Sequence, residues 1–462
     1  MNSGNLVVHF VGIHSTKERK KGKLIMKRIL LATLLATFTV FVSAQEIDKI
    51  INATEVERIE KTLSSDEMQG RRTFTPGIDK AADFIASEFK KAGLQPVDGK
   101  SYFQEFKMIR TKFISATGEI NGKAIESKNI VALSSLTEIN INQSSGYERL
   151  NIKAGQPMFD VLNPLFATNK NYFIVVDTAQ FRMFNSLKRF RQQSFPSAAN
   201  IVLVMTTEDP STYSINFKQE ITEQSLKNVV GILPGKKLKD QYVIFSGHYD
   251  HLGIGSPNKD QDSIFNGAND DAAGTTAVIM LANYFAKKKD NERTIVFAAF
   301  TAEEVGGFGA KYFSEQYKPE KVMAMFNIEM IGTESKWGTN SAYITGYEKT
   351  DMGKILAKNL EGTQFQFHPD PYTKQNLFYR SDNATLARLG VPAHTISTSR
   401  MEADTSAYNK TVDKYYHTQD DEIETLDMKN MAEIIKAIAI SSTSIIAGKD
   451  TPSRVDTKEL RN

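Results

Sequence analysis

The chain of 462 residues contains no cysteine. This absence excludes disulfide bonds, thiolate metal ligands and lipid attachment through a cysteine. An exported protein of this composition depends for its stability on its hydrophobic core, on bound metal, or on both. Any metal site in the chain therefore has to be built from other residue types.

The apolar run near the start of the chain is too short to span a membrane. Ile29–Val42 is apolar apart from small residues and threonine, and it falls below the roughly 20 residues that a spanning helix needs. It follows the basic Met26-Lys-Arg28 and precedes the small residues Ser43 and Ala44. This pattern predicts a signal peptide over about 26–44. We therefore expect a periplasmic or secreted protein with no membrane anchor after cleavage.

A surplus of positive charge is also absent once this leader is set aside. The whole chain carries a net charge of +3, and residues 1–44 contain seven Lys or Arg against one Glu. The leader thus contributes +6, which leaves −3 for residues 45–462. This balance removes the electrostatic case for nucleic-acid binding. The hydrophobic share of 40% is ordinary for a soluble globular protein.

Apolar strands alternate with helices from Leu226 onward. Such alternation is typical of the α/β class, and it predicts a doubly wound, mostly parallel sheet flanked by helices. The strands are predicted at Val229–Leu233, Tyr242–Ser246, Thr294–Phe300, Val322–Ile328, Ala342–Thr345 and Val391–Ser397. The helices are predicted at Ile47–Lys61, Gly77–Ala92, Thr275–Lys289 and Met428–Ile446.

The middle of the chain has a different character. Residues 114–225 contain the strand-like stretches Tyr172–Val176 and Asn200–Met205 and a helical stretch at Phe181–Arg191. No cluster of catalytic residue types occurs there, so we predict an inserted α/β or β-rich subdomain. The predicted divisions are a leader and signal peptide (1–44), N-terminal helices and a first strand (45–113), the inserted subdomain (114–225), the catalytic domain (226–448) and a polar tail (449–462).

Metal-capable side chains follow three of the predicted strands. His248 comes two residues after one strand, the pair Glu303–Glu304 follows the next, and Glu329 closes a third. Because ligands of open α/β sheets bind outside the carboxyl ends of the strands, these side chains are expected to converge. Asp270 lies in a glycine-flanked turn before a helix, so its carboxylate can reach the same edge.

The positions of the histidines also indicate a metal site. Five of the seven lie beyond the leader, and two of them, His248 and His417, occur in acidic motifs rich in glycine or tyrosine. A metal-ligand role is favoured for both, whereas His251 is predicted to support a ligand or to pack. In the pair Glu303–Glu304, one carboxylate can bind metal while the other takes a proton from water. The pattern therefore predicts a hydrolytic metalloenzyme.

Five motifs in a fixed order carry a resemblance to a known family. They are His248-Tyr-Asp250, Asn269-Asp-Asp271, Thr301-Ala-Glu-Glu304, Asn327-Ile-Glu329-Met-Ile-Gly332 and Tyr416-His-Thr418. In this respect the chain resembles metallopeptidase family twenty-eight, which contains co-catalytic di-zinc aminopeptidases and glutamate carboxypeptidases. The resemblance covers about residues 50–110 and 226–447. It implies the zinc-dependent exopeptidase fold.

The resemblance also implies roles for individual residues. Glu303 would be the general base that acts on a metal-bridging hydroxide, and Asp250 would hydrogen-bond His248 and fix its tautomer. The Asp270–Asp271 peptide bond would be cis. Glu329 stands where the family most often has aspartate. The implied ligands of two zinc ions are His248, Asp270 (bridging), Glu304, Glu329 and His417.

The expected function is that of an exported zinc exopeptidase acting on peptides. An aminopeptidase, which removes N-terminal residues, is the first choice because no motif marks a site for a substrate carboxylate. Arg380 could nevertheless clamp a carboxylate, so a carboxypeptidase stays open. A single-zinc glutaminyl cyclase on a related scaffold also stays open. A non-catalytic, receptor-like relative is disfavoured because all five ligand positions are metal-capable.

Overall fold

A computed structural model describes residue 1 and residues 46–166, 168–190, 193–403 and 411–460. The predicted leader and signal peptide, apart from Met1, lie outside these ranges. Within them, no helix combines the length and the apolar character that crossing a membrane requires.

The elements used below are numbered along the chain. The helices are α1 (Ala53–Leu63), α2 (Pro76–Ala92), α3 (Met158–Phe166), α4 (Phe181–Phe190), α5 (Ala273–Lys288), α6 (Phe308–Ser314), α7 (Met352–Asn359), α8 (Asn383–Ala387), α9 (Met428–Ser441) and α10 (Thr443–Ile446). The longer strands are β1 (Phe103–Ile120), β2 (Ile130–Leu133), β3 (Glu138–Asn142), β4 (Glu148–Ile152), β5 (Tyr172–Val176), β6 (Ile201–Met205), β7 (Tyr213–Leu233), β8 (Leu238–His248), β9 (Arg293–Phe300), β10 (Val322–Ile328), β11 (Ser341–Ile344), β12 (Gln366–Pro369) and β13 (Ala393–Ser397).

One large sheet organises the molecule, with the order β12-β11-β13-β10-β8-β9-β7-β1. The four central strands β13, β10, β8 and β9 run parallel to one another. Strands β7 and β1 extend the sheet antiparallel on one side, and β11 pairs antiparallel with β13 on the other. The predicted α/β class with a mostly parallel sheet is therefore confirmed at the centre of the fold.

Helices cover both faces of this sheet. On one face, Val243 and Phe245 of β8 belong to a core built with residues of α1, α2, α5 and α9. On the other face, the intervening Ile244 packs in a second core with α6 and α8. Successive side chains of a strand point to opposite faces, so a strand buried on both sides reads as a continuous apolar run. This explains why β8, β9 and β10 were predictable from the sequence.

A long antiparallel hairpin connects the main sheet to the middle of the chain. Strands β1 and β7 pair from Phe103 opposite Val229 to Ile120 opposite Tyr213. Beyond the main sheet lies a second sheet in the order β2-β6-β5-β4, against which α3 and α4 pack. The divisions proposed at 113/114 and 225/226 fall inside β1 and β7, and the division into domains stays a prediction.

Two helix ends differ from the sequence-based expectation. The predicted helix Ile47–Lys61 is interrupted at 51–52: residues 46–50 are helical, and α1 begins at Ala53, where the side chain of Asn52 caps it by accepting the N–H of Glu55 at 3.1 Å. The last predicted helix is divided at Ser442 into α9 and α10. At the end of α2, Gly93 has φ = 80° and closes the helix in the left-handed conformation.

Candidate metal centre

Asp270 lies between the two histidines that were predicted as ligands. Its Oδ1 atom is 3.2 Å from Nε2 of His248, and its Oδ2 atom is 3.2 Å from Nε2 of His417. The carboxylate thus faces one imidazole with each oxygen. The peptide bond that follows, Asp270–Asp271, is cis, as the resemblance implied.

The remaining predicted ligands complete two groups that share Asp270. In the first group, ligand atoms of His248, Asp270 and Glu329 all lie within 4.8 Å of one another. In the second, Glu304 joins Asp270, and its Oε2 atom lies 3.1 Å from Nε2 of His417. The structure therefore brings all five predicted ligands together.

His251 also lies at this centre, although the sequence favoured a supporting or packing role. It forms a ligand group with Asp270 and Glu304, and its Nδ1 atom is 2.9 Å from Oε1 of Glu304. The only sequence signal for His251 was its spacing, one residue after Asp250 and three after His248. That spacing alone does not separate a histidine that binds metal from one that orients a neighbouring carboxylate.

Three strand ends and one turn deliver these side chains. His248 is the last residue of β8, the glutamate pair follows β9 by three residues, and Glu329 directly follows β10. The turn carrying Asp270 is held by Asp421, whose carboxylate accepts the N–H groups of Asn269 at 2.8 Å and Asp270 at 3.0 Å. These hydrogen bonds from the main chain to Asp421 thus fix the turn that carries Asp270.

Asp250 holds the glutamate pair rather than the imidazole ring. Its carboxylate accepts the main-chain N–H of Glu303 at 3.0 Å and that of Glu304 at 3.3 Å. The Nδ1 atom of His248 lies closer to the main-chain oxygen of Asp250, at 3.1 Å, than to its carboxylate, at 3.8 Å. The main chain of Asp250 can therefore set the His248 tautomer, while its carboxylate positions Glu303 and Glu304.

Three histidine nitrogen atoms without a hydrogen-bond partner among the described residues indicate whether the residues of this centre can bind metal. The Nε2 atoms of His248, His251 and His417 are buried, and each lacks a well-formed hydrogen bond within the part of the chain that the structure describes. Buried polar atoms normally form hydrogen bonds, and those that do not are often placed to bind an ion. Imidazoles and carboxylates are also the donor set that zinc accepts in proteins without cysteine ligands. The residues present therefore fit metal ions.

The surroundings of the centre shift the pKa values of Asp270 and Glu303 in opposite directions. Burial raises the pKa of Glu303 well above its ordinary value, and the neighbouring Asp382, Glu329 and Glu304 add to this effect against the opposing pull of His248. Burial would also raise the pKa of Asp270. The imidazoles of His248, His417 and His251 have the opposite and larger effect, and they hold this pKa well below its ordinary value. Asp270 is thus suited to stay ionised beside cations, and Glu303 is suited to accept a proton.

A cavity of about 210 Å³ opens beside this centre. Its lining includes Asp270, Glu303 and Glu329, together with Tyr416 and Arg380. The predicted base and two of the predicted ligands therefore face the same space, which is where a small substrate group would enter.

One buried residue at this centre was not foreseen. Arg71 is fully buried, and its guanidinium donates to four main-chain carbonyl oxygens. Three of these belong to Tyr249, Asn266 and Gly267, which flank the segments that carry His248 and Asp270. The sequence gives no signal for this role, because an arginine after a glycine looks like any surface arginine.

A buried set of imidazoles and carboxylates at the carboxyl edge of a doubly wound sheet defines an α/β metal-binding domain. The sequence model of Peptidase family M28 matches residues 228–441. This match confirms the resemblance drawn from the five motifs.

Individual relatives agree with this assignment. The chain is 37% identical over 110 residues to a "Probable zinc metalloprotease" of Pyrenophora teres f. teres, covering 23% of each protein. It is 24% identical over 225 residues to "Aminopeptidase YwaD" of Bacillus subtilis, covering 46% of this chain and 43% of that protein. The chain spans about a quarter of the length of the zinc metalloproteases it matches.

A solved structure shares the fold. The aminopeptidase from Aneurinibacillus sp. strain AM-1 superimposes with a TM-score of 0.50 at 16% identity, over 90% of this chain and 98% of that one. The shared fold therefore extends over most of the chain.

Proposed function

We propose that the protein is a zinc-dependent exopeptidase and, more narrowly, an aminopeptidase. The observation that carries this proposal is Asp270, which faces His248 with one oxygen and His417 with the other at 3.2 Å each. Such a carboxylate suits a pair of metal ions. The names of the relatives, a zinc metalloprotease and an aminopeptidase, support the same reading.

The residues of the two groups would hold two zinc ions. His248 and Glu329 would bind one ion, His417 and Glu304 the other, and Asp270 would contact both. When bound, zinc ions polarise a substrate carbonyl and lower the pKa of water. The His251 imidazole, 2.9 Å from Glu304, would orient that ligand through its contact.

Glu303 would move the proton in this reaction. Its carboxylate lines the cavity next to Asp270, and burial raises its pKa, so it can take a proton from water and later release it to the leaving amine. Asp250 fixes the main chain of Glu303 by a 3.0 Å hydrogen bond. The base is therefore held in position by a residue that need not touch the substrate.

Replacement of Glu303 tests this assignment. Glu303→Gln keeps the size of the side chain but cannot accept the proton, so kcat should fall by about 10²–10⁴-fold, the usual contribution of a general base. Zinc content, measured by atomic emission, should stay that of the wild type. A Glu303→Gln enzyme with near wild-type kcat would refute the role.

The second candidate is a carboxypeptidase, which one side chain favours. Arg380 lines the same cavity as Glu303, and a guanidinium is well shaped to bind a carboxylate. Peptides blocked at either end separate the two functions. An aminopeptidase cleaves C-terminally amidated peptides and spares N-acetylated ones, whereas a carboxypeptidase does the reverse.

A glutaminyl cyclase would differ in both metal and product. It would need only one zinc ion per chain, and it would convert N-terminal glutamine to a cyclic residue without releasing an amino acid. Zinc stoichiometry measured together with the mass of the product therefore distinguishes it from both peptidases.

We also propose export, on the basis of the N-terminal pattern of residues 26–44. The basic start, the apolar run and the small residues at its end support removal of a signal peptide. N-terminal sequencing of the protein recovered from the medium or periplasm would test this. A protein that retains residues 26–44 in the cytoplasm would contradict it.

A further inference from the structure

A second and larger cavity lies away from the metal centre. Its volume is about 710 Å³, and it is lined mainly by residues of the predicted inserted subdomain and by residues in or directly after helix α6. Among the described residues, it shares no lining residue with the cavity beside Glu303. Pockets of roughly 300–1,000 Å³ at the junction of two structural units are typical sites for small ligands.

The interior of this cavity is mainly apolar and aromatic. Leu162 and Leu187 contribute from the buried core of the inserted subdomain. Phe195 and Phe308 also line the cavity, with their ring centroids 5.4 Å apart in an edge-to-face arrangement. Such walls favour phenyl and large aliphatic groups, through area burial and through edge-to-face contacts with further rings.

Two oppositely charged side chains line the cavity, one within α6 and one directly after it. Lys311 and Glu315 both line the cavity, four residues apart, and both are exposed. Within the described ranges neither side chain forms an ion pair, so the ammonium and the carboxylate can each pair with a charged group of a ligand. The Lys311 ammonium is 5.6 Å from the centre of the Phe195 ring, at the border between polar and apolar wall.

We propose that this cavity binds short apolar peptides with free termini. The peptide carboxylate would lie near Lys311, its ammonium near Glu315, and its side chains among Phe195, Phe308 and Leu162. This ligand matches both charges as well as the apolar interior, whereas a fatty acid would leave Glu315 facing an anion. The site is additional to the catalytic cavity and does not depend on the proposed reaction.

The cavity nevertheless borders the catalytic turn. The N–H of Phe308 donates to the carbonyl of Ala302 at 3.1 Å, and the N–H groups of Gly306 and Gly307 donate to the carbonyl of Glu303 at 2.9 and 3.0 Å. Phe308 is thus part of the same compact turn as the proposed base. A peptide that contacts its ring would therefore touch a residue of the turn that carries Glu303 and Glu304.

Calorimetric titration of the zinc-loaded full chain tests the proposal. The probe is the dipeptide D-Phe-D-Phe, whose mirror-image residues resist hydrolysis. We expect saturable binding with one peptide per chain. Acetyl-D-Phe-D-Phe-amide, which lacks both charges, should bind at least fivefold more weakly. Equal affinity of the two peptides, or no saturable binding of the dipeptide at millimolar concentration, would overturn the proposal.

Matched variants on one helix locate the site. Asn163 is an exposed residue of α3 that lines the cavity, and Asp160 is an exposed residue of the same helix that does not. Asn163→Trp should fill the cavity and weaken dipeptide binding at least tenfold, while Asp160→Trp should leave it unchanged. Thermal unfolding of both variants verifies that they fold.

Two further results bear on the position of the site. Lys311→Met and Glu315→Gln should each weaken binding of the dipeptide several-fold while binding of the blocked peptide is unchanged. Leucine hydroxamate, a zinc-chelating compound, should not displace the dipeptide. Displacement by the hydroxamate, or wild-type affinity in Asn163→Trp, would place binding elsewhere and refute the proposal.

Discussion

Arg71 is fully buried and, among the described residues, has no direct carboxylate partner. Burial lowers the pKa of its guanidinium, and the carboxylates of Glu60, Asp421, Asp250 and Asp270 counter that effect through space. Four of its five N–H donors are used on main-chain carbonyls, at 2.6–2.9 Å. The planar fork can serve several segments at once, which a lysine ammonium with three donors cannot do in the same geometry.

Replacement of Arg71 should therefore loosen the metal centre. Arg71→Lys keeps the charge but loses the contacts to the segments that carry His248 and Asp270, so zinc affinity should fall by about 10–100-fold, as for other groups that orient ligands. Competition with a zinc chelator measures this loss. Arg72→Lys, at the exposed neighbouring position, is the control and should behave as wild type. Unchanged zinc affinity in Arg71→Lys would contradict the positioning role.

Glu329 is a proposed ligand, and it stands where the resemblance implies an aspartate. Its Oε2 atom is hydrogen-bonded by the Ser381 hydroxyl, and the amide of Asn327 approaches the same oxygen at 3.5 Å. These hydrogen bonds hold the longer side chain in place. One of its carboxylate oxygens lies within 4.8 Å of ligand atoms of His248 and Asp270, so the three residues form the first ligand group.

Loss of this carboxylate should empty one metal site. Glu329→Gln should reduce bound zinc from about two ions to about one per chain, because an amide is a poor zinc ligand compared with a carboxylate. Metal analysis at buffered free zinc gives the count. Glu334→Gln, an exposed position nearby, should retain the wild-type count. Full zinc occupancy in Glu329→Gln would show that this residue is not a ligand.

The residues at this centre differ in how well the sequence foretold them. His248, Glu303–Glu304 and Glu329 were predictable because each follows a strand whose apolar run is unmistakable. His251 and Arg71 were not, because their roles depend on contacts with Glu304 and with distant carbonyls. Those contacts form only when the chain folds, and no local pattern encodes them.

At the scale of elements, one buried amide connects β7 to the turn that carries Glu303 and Glu304. Asn228 is fully buried, its Oδ1 atom accepts the N–H of Thr301 at 3.2 Å, and its Nδ2 atom donates to the carbonyl of Gly309 at 2.9 Å. Thr301 and Gly309 are the two ends of the turn that contains Glu303 and Glu304. The side chain therefore clamps this turn against the sheet.

Removal of this clamp should cost stability. Asn228→Ala leaves the Thr301 N–H and the Gly309 carbonyl without their partner, at about 1–3 kcal/mol for each buried group. Urea unfolding measures the change in the free energy of unfolding. Asn216→Ala, at a partly exposed position of the same strand, should change it by less than about 0.5 kcal/mol. Equal losses in the two variants would argue against the clamp.

The hairpin of β1 and β7 shows where element prediction ends. Both strands carry exposed polar residues over much of their length, so only their apolar ends, such as Val229–Leu233, stood out in the sequence. Their pairing joins residues more than 90 positions apart, from Ile120 opposite Tyr213 outward to Phe103 opposite Val229. By contrast, β5 and β10 were predicted to the residue because all or nearly all their side chains are buried.

At the scale of the whole molecule, the metal centre gathers negative charge in the interior. Asp250, Asp270, Glu303, Glu304 and Glu329 lie together, and burial acts to raise the pKa of each of them. Among the described residues, none of these carboxylates forms an ion pair with lysine or arginine; their charged neighbours are histidines. Buried carboxylates without cations are costly, so the fold itself should depend on bound metal.

Zinc removal should therefore destabilise the entire chain. A ligand that binds only the folded state stabilises it by about 4 kcal/mol when its free concentration is 1,000 times its Kd, and a chain without disulfide bonds has no covalent cross-link to offset that loss. Calorimetric scans of the protein before and after treatment with a chelator should show a Tm lower by several degrees, restored by zinc. Magnesium should not restore it, because it prefers oxygen ligands in octahedral geometry. A Tm that is the same with and without zinc would mean that the carboxylates are accommodated without metal.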